Sequence, residues 1–128
     1  MLESAYEYSV QDALGTTDVI EFKGLPFTPR RSYFLRNIPL GSVRGLHAHK
    51  NLEQFVKCLS GEFRLEVTSD NAEQYQMTQA SAGVYVPAGT WRTLSSFSAD
   101  CVVMVLASQP YDPEDYIHTY KEFLQWRS

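Results

Sequence analysis

No apolar run in this chain approaches the roughly 20 residues of a membrane-spanning helix, so none is expected. The opening residues, MLESAYEYSV, lack the basic-then-apolar order of a secretion signal. Cysteine is scarce: Cys58 and Cys101 are the only two, each inside an apolar, strand-like run. Two separated thiols are poor material for a disulfide scaffold or a zinc site. They read as reduced, buried residues of a cytoplasmic protein. Repeats, low-complexity tracts and linkers are absent too. With 128 residues and 44% hydrophobic content, one domain spanning 1–128 is expected.

A basic surplus is also missing. The formal charge is −4, which makes nucleic acid a poor partner. The charges are unevenly spread, however. Lys23, Arg30, Arg31, Arg36, Arg44, Lys50 and Lys57 share one segment with a single acid, Glu53; the remainder holds four basic residues against fourteen acids. One basic segment in an acidic chain suits a small anionic ligand such as a phosphorylated metabolite. Taken singly, each side chain is better explained by solvation on a strand's outer face. Only the clustering points to a ligand.

Helix signals are rare. Short runs rich in β-branched and aromatic residues, separated by turn residues, make up most of the chain. RRSYFLRNI, VRGLHAH and GVYV each read as a strand, and CVVMVLAS is apolar nearly throughout, as a strand covered on both faces would be. LEQFVKCLSGEFRLEVT reads as two strands joined in a hairpin at Ser60-Gly61. The series predicts an all-β antiparallel sandwich or barrel. In YDPEDYIHTYKEFLQW, Asp112 can cap, Pro113 suits the first helical position and Asp115 lies three after the cap. That predicts a C-terminal helix over about 113–126. Tyr116, Tyr120 and Phe123, flanked by Ile117 and Leu124, would form its stripe for core or dimer packing, with His118 off the stripe and exposed.

The stretch GSVRGLHAHKNLEQFVKCLSG, residues 41–61, holds two of the three histidines. Residues two apart on a strand face the same way, so His47 and His49 share a face with Val43 and Gly45. Leu52, Gln54, Val56 and Cys58 form one face of the next strand. Two imidazoles side by side inside a barrel each need hydrogen-bond partners, and are costly without a job. Metal ligation, acid–base chemistry and a structural role all remain open on this pattern.

From Gly41 through His47, His49 and Gln54 to Gly61, the spacing G-x5-H-x-H-x4-Q-x6-G resembles the first motif of the cupin family. PAGTWR, residues 87–92, resembles the second, which runs Pro-x-Gly-x-x-His. The resemblance implies a cupin-type antiparallel β-barrel, or jelly roll, with a C-terminal helix. Metal-binding cupins draw three histidines and a glutamate from these motifs. Here Gln54 holds the glutamate position and Arg92 that of the last histidine, while Glu53 is one residue out of register and so on the opposite face. A divalent metal would keep two protein ligands and face a guanidinium. No metal and no cofactor are expected.

RGLHAHKNLEQFVKCLSG, VPAGTWRTLSSFS and VLASQPYDPEDYIHTYKEF together resemble a narrower group, the bacterial nucleotide-sugar 3,4-ketoisomerases (WxcM-like and FdtA-like cupins). These act on dTDP-4-keto-6-deoxyglucose during synthesis of 3-amino sugars for O-antigen and S-layer glycans. Members are metal-free homodimers, often with an N-terminal strand exchanged between subunits. The resemblance therefore implies a dTDP-linked keto sugar as ligand and a homodimer as the assembly. One departure stands out: members usually carry an Arg-Gly pair ahead of "PF", whereas DALGTTDVIEFKGLPF has no arginine before Arg30.

Moving a ketone from carbon 4 to carbon 3 needs a base that titrates near neutrality, and groups that stabilise an enediolate. By position in the matching motif, His47 is the expected base. His49 relays protons between the oxygens or returns one to carbon 4; the alternative is that it only orients its neighbour. Gln54, Tyr33 and Arg92 are the available donors near the barrel mouth. Arg31 shares parity with Tyr33, and the pair is expected at the pyrophosphate and the sugar, with solvation the alternative for Arg31. Arg44 and Lys50 alternate to the other side of an ideal strand and would reach a ligand only at strand ends or across a dimer interface. Trp91 stacks on the thymine or closes the barrel by packing. Two other functions remain open. A cupin-type nucleotide-sugar epimerase would need a tyrosine and a His–Asp couple, and the sequence offers no obvious aspartate for the histidine pair. A binding module without catalysis needs neither.

Overall fold

Period-two alternation condenses into eleven strands among residues 6–128, the part of the chain that the computed structural model describes. β1 (Glu7–Asp12) and β2 (Gly15–Ile20) pair with each other as a separate hairpin. One sheet holds, in spatial order, β3 (Arg31–Leu35), β10 (Val102–Ala107), β5 (Gln54–Ser60) and β8 (Val84–Val86). The other holds β11 (Tyr116–Ile117), β4 (Arg44–His49), β9 (Trp91–Ser95), β6 (Glu62–Thr68) and β7 (Ala72–Thr78). Neighbouring strands run antiparallel. Val56, Cys58, Val86, Val103 and Val105 of the first sheet pack in one cluster with Phe63, Leu65, Met77 and Leu94 of the second. The expected cupin-type double sheet is present. No helix among the described residues is long and apolar enough to cross a membrane.

The N-terminal segment explains why β5 and β10 are buried on both faces. Phe55 and Leu106, on the outer face of the first sheet, cluster with Tyr6, Ile20, Leu25 and Phe27. Lys57 lies on the same outer face, where its ammonium donates to Glu7 Oε1 at 3.0 Å.

Two local expectations need correction. The chain turns at Ser60-Gly61, but β5 and β6 do not pair, because they belong to different sheets. Gly61 has φ +68°, and an added Cβ would lie 2.2 Å from Ser98 Oγ, so this is a tight corner between sheets rather than a hairpin. The C-terminal helix also starts late. Asp112 caps only the one-turn 3-10 helix Pro113–Asp115; the chain then runs extended as β11, and α1 covers Tyr120–Arg127. Tyr116 and Ile117 pair with His49 and Ala48 of β4 instead of continuing the helix. The effective start signal is Thr119-x-x-Glu122: Thr119 Oγ1 accepts from the Glu122 N–H at 3.1 Å and donates to its carboxylate at 3.0 Å.

Candidate active site

Gly45 and Leu46 both have left-handed backbone, with φ of +82° and +56°. The β4–β9 register shifts between Gly45 and His47, so this is a bulge that breaks the alternation of an ideal strand. It has two consequences. Arg44 lines the same cavity wall as His47, correcting the parity expectation, while Val43 is exposed. The Gly45 carbonyl also comes within 2.9 Å of His47 Nδ1. A carbonyl only accepts, so Nδ1 carries the hydrogen and Nε2 keeps its lone pair.

The cavity between the sheets measures about 230 Å³. From the first sheet it receives Arg31, Tyr33 and Gln54; from the second, Arg44, His47 and Arg92, with apolar residues such as Val56 and Leu65 at its base. Arg92 Nη1 donates to Gln54 Oε1, and Gln54 Nε2 donates to the Tyr33 hydroxyl at 3.0 Å. This chain of donors ties one sheet to the other and fixes which way the Gln54 amide points. Arg92 Nη2 donates to the Thr90 carbonyl at 3.1 Å. Nε of Arg92 and Nε of Arg31 are buried without a partner, two donors with unused capacity. No acid stands among the described residues that line the cavity, which makes it an anion-seeking space.

Burial lowers the Arg92 pKa to about 10, so the guanidinium stays charged at neutral pH. Burial, with Arg92 beside it, lowers His47 to about 4, against the opposing pull of the Gly45 carbonyl. The imidazole is thus neutral at pH 7 and able to accept a proton. Where metal-binding cupins would offer ligands, the Gln54 carbonyl oxygen accepts from Arg92 Nη1 and the guanidinium offers no lone pair. No cluster of three or more His, Cys, Asp or Glu that could hold a metal occurs among the described residues.

His49 is buried beside this wall, its ring 4.8 Å from that of His47 and 4.4 Å from that of Tyr116. Its Nδ1–H donates to Asp115 Oδ2 at 3.1 Å. The histidine pair therefore has an aspartate partner that the sequence did not make obvious. Tyr116, assigned above to a helical packing stripe, instead lines the cavity, as Arg31 does. His118 is exposed and stacks on Tyr116 at 5.4 Å. Trp91 does not line the cavity. It packs against Tyr120 and Phe123 at 5.5 and 5.9 Å, in keeping with the packing alternative for this residue. Lys50 is exposed and also stands outside the cavity. Asp115 and Tyr116 escape a sequence reading because a plausible capping pattern hides the short strand that delivers them.

A family model described as FdtA: WxcM-like, C-terminal, matches residues 6–128. The chain is 38% identical over 117 residues to the TDP-4-oxo-6-deoxy-alpha-D-glucose-3,4-oxoisomerase of Aneurinibacillus thermoaerophilus, covering 90% of this chain and 84% of that relative. Among solved structures it is similar to QdtA, a sugar 3,4-ketoisomerase from Thermoanaerobacterium thermosaccharolyticum in complex with TDP. The TM-score is 0.89 and the identity 31%, over 95% of this chain and 90% of that one. A variant of QdtA in complex with TDP-4-keto-6-deoxyglucose gives a TM-score of 0.88 at 30% identity, over 95% and 90% of the two chains.

Proposed function

The chain belongs to the FdtA family of WxcM-like, C-terminal domains, and on that premise we propose that its central cavity is the active site of a nucleotide-sugar 3,4-ketoisomerase. The enzyme is an isomerase that converts TDP-4-keto-6-deoxyglucose into its 3-keto isomer. One observation carries the assignment to this cavity: His47, with Nδ1–H committed to Gly45, presents a basic nitrogen beside an acid-free, arginine-lined space.

The reaction moves one hydrogen from carbon 3 to carbon 4 and one from the carbon 3 oxygen to the carbon 4 oxygen, with no net redox change. His47 Nε2 takes the proton from carbon 3. The released electron pair forms the bond between carbons 3 and 4, and negative charge builds on the carbon 4 oxygen. Arg92 and the Tyr33 hydroxyl stabilise that enediolate. The anion also offsets the field of Arg92 at His47, so the imidazolium forms more readily with substrate bound than in the free cavity. His49 carries a proton between the two oxygens. Loss of the carbon 3 hydroxyl proton closes the new carbonyl, and protonation of carbon 4 by the His47 imidazolium completes the isomer and restores the free base. Arg31 and Arg44 bind the pyrophosphate.

The His49–Asp115 couple beside a tyrosine is also what an epimerase requires, which gives that reading an observation of its own. We extend the proposal to a cytoplasmic homodimer joined through the N-terminal hairpin. In support, Leu14 at its tip is 96% exposed and Val10 49% exposed, and a two-stranded ribbon left so uncovered is marginal alone. Light scattering in solution tests the dimer.

The deciding experiment is proton NMR of chelator-treated protein with TDP-4-keto-6-deoxyglucose in deuterated water. Conversion to the 3-keto isomer with deuterium at carbon 4 is expected. Exchange at carbon 3 or 5 without a carbonyl shift would indicate epimerisation, and binding without exchange a binding module. Activity that vanishes with the chelator and returns with a divalent ion would indicate a metal enzyme.

A further inference from the structure

The segment after β10 ends against the histidine pair, and its geometry is more specific than packing requires. Asp112 accepts from the Glu114 N–H at 3.0 Å and so closes the turn Pro113–Asp115. β11 then pairs Tyr116 with His49 and Ile117 with Ala48. The turn thereby delivers Asp115, a buried acid only 4% exposed, to the end of β4. Its Oδ1 accepts from the Asn51 N–H at 2.8 Å, and its Oδ2 from the Leu52 N–H at 3.2 Å and from His49 Nδ1 at 3.1 Å.

An ionised carboxylate can only accept, so the His49 hydrogen resides on Nδ1. The other ring nitrogen, Nε2, is buried and has no partner. A buried acceptor left empty is costly, and a nitrogen kept that way beside a cavity points to a proton it receives during turnover. The rings next to it, His47 and Tyr116, both line the cavity. Four groups face His49: Arg92 from β9, His47 from its own strand, Asp115 from the preceding turn and Tyr116 from β11. Burial, Arg92 and His47 lower its pKa, and Asp115 opposes them, so the ring is neutral at pH 7.

We propose that Asp115 is a positioning residue of the isomerisation, which holds His49 as the Nδ1–H tautomer and so leaves Nε2 free to carry the proton between the carbon 3 and carbon 4 oxygens. This rests on the ketoisomerase reading of the cavity. A purely structural Asp115, stapling the Asn51 and Leu52 amides, would act without His49, and the two roles differ in measurable ways.

In Asp115→Asn the amide oxygen continues to accept from the Asn51 N–H, while the NH2 takes the place of the oxygen that Leu52 N–H and His49 Nδ1 share, so Leu52 N–H loses its acceptor and the ring hydrogen moves to Nε2. The expected result is a kcat about 10²-fold lower with KM changed less than about twofold, the pattern of a lost transition-state interaction. In a His49→Asn background the same substitution should cost no further kcat, because its route of action is gone. An equal loss in both backgrounds would overturn the proposal in favour of the staple. Nitrogen-15 NMR of the wild-type protein without substrate provides a test that needs no variant. A protonated Nδ1 and bare Nε2 at His49 support the inference, and the opposite tautomer overturns it. If wild-type protein converts no keto sugar, the reading of the reaction fails, and the NMR result still decides what Asp115 does to His49.

Discussion

His47 and Arg92 are direct cross-strand partners on β4 and β9. A permanent cation therefore stands beside the proposed base, in a cavity whose described lining residues include no acid. That pairing keeps the base unprotonated at rest and supplies a counter-charge once the enediolate forms. The acid limb of a kcat/KM profile reports the base in the free enzyme. It is expected near pH 4, the value to which burial and Arg92 lower His47, rather than at the ordinary 6.5. Arg92→Gln should move the limb upward while lowering kcat. A wild-type limb at 6.5 would separate His47 from the rate-determining ionisation.

Replacing His47 with asparagine should remove at least the roughly 10²- to 10⁴-fold that a general base supplies, with nucleotide-sugar affinity retained by calorimetry. The same substitution has a signature in stability. The His47 value in the folded protein lies below 6.5, so between pH 6.5 and about 4 the unfolded chain takes up a proton that the folded chain refuses. Wild-type stability should fall relative to the variant as pH drops through that window, and the gap should be constant above it. Urea unfolding at several pH values measures both trends. A gap that widens in favour of wild type at acid pH would contradict the depressed value.

Gly45 is the point where backbone geometry and chemistry meet. Its φ is +82°, and a Cβ there would lie 3.0 Å from the Arg92 carbonyl oxygen. Gly45→Ala should cost about 1–3 kcal/mol of stability through backbone strain. It should also lower kcat, because the Gly45 carbonyl holds the His47 tautomer. Thermal melts and steady-state kinetics on one preparation would show whether the two losses appear together.

The sequence made much of the site legible because its signals were either periodic or motif-bound. His47, Gln54 and Arg92 sit at motif positions, and Tyr33 with Arg31 follow from alternation on β3. Arg44 lines the cavity although ideal alternation turns it away, because one inserted residue, at Gly45 and Leu46, shifts the phase of β4, and a bulge leaves no periodic trace. Asp115 and Tyr116 were hidden because Asp112-Pro113 is a sound start signal that here closes only one turn. Trp91 shows the converse limit. It adjoins Arg92 in sequence but faces the other side of β9, where Phe123 and Tyr120 of α1 cover it. Which face of a strand an aromatic covers is set by α1, an element whose position only tertiary packing decides.

The N-terminal segment is anchored by a charge pair that the cavity does not use. Lys57 Nζ donates to Glu7 Oε1 at 3.0 Å and to the Ser81 carbonyl at 3.3 Å, and Glu7 also accepts from the Gly83 N–H at 3.0 Å. Glu7 is fully buried and Lys57 nearly so, hence removing one partner strands the other's charge away from water. Glu7→Ala should therefore destabilise the protein by about 3–5 kcal/mol, whereas adding Lys57→Met should recover a large part of that loss, since the pair's own desolvation cost is then removed as well. Lys57 shares the outer face of β5 with Phe55, while Gln54 and Val56 face the cavity. Turnover per folded molecule should accordingly be unchanged in both variants at low temperature. Urea unfolding gives the stability and active-site titration the folded fraction. A Glu7→Ala protein as stable as wild type would mean that apolar contacts such as Tyr6 on Phe55 hold the segment, and that the ion pair contributes register rather than strength.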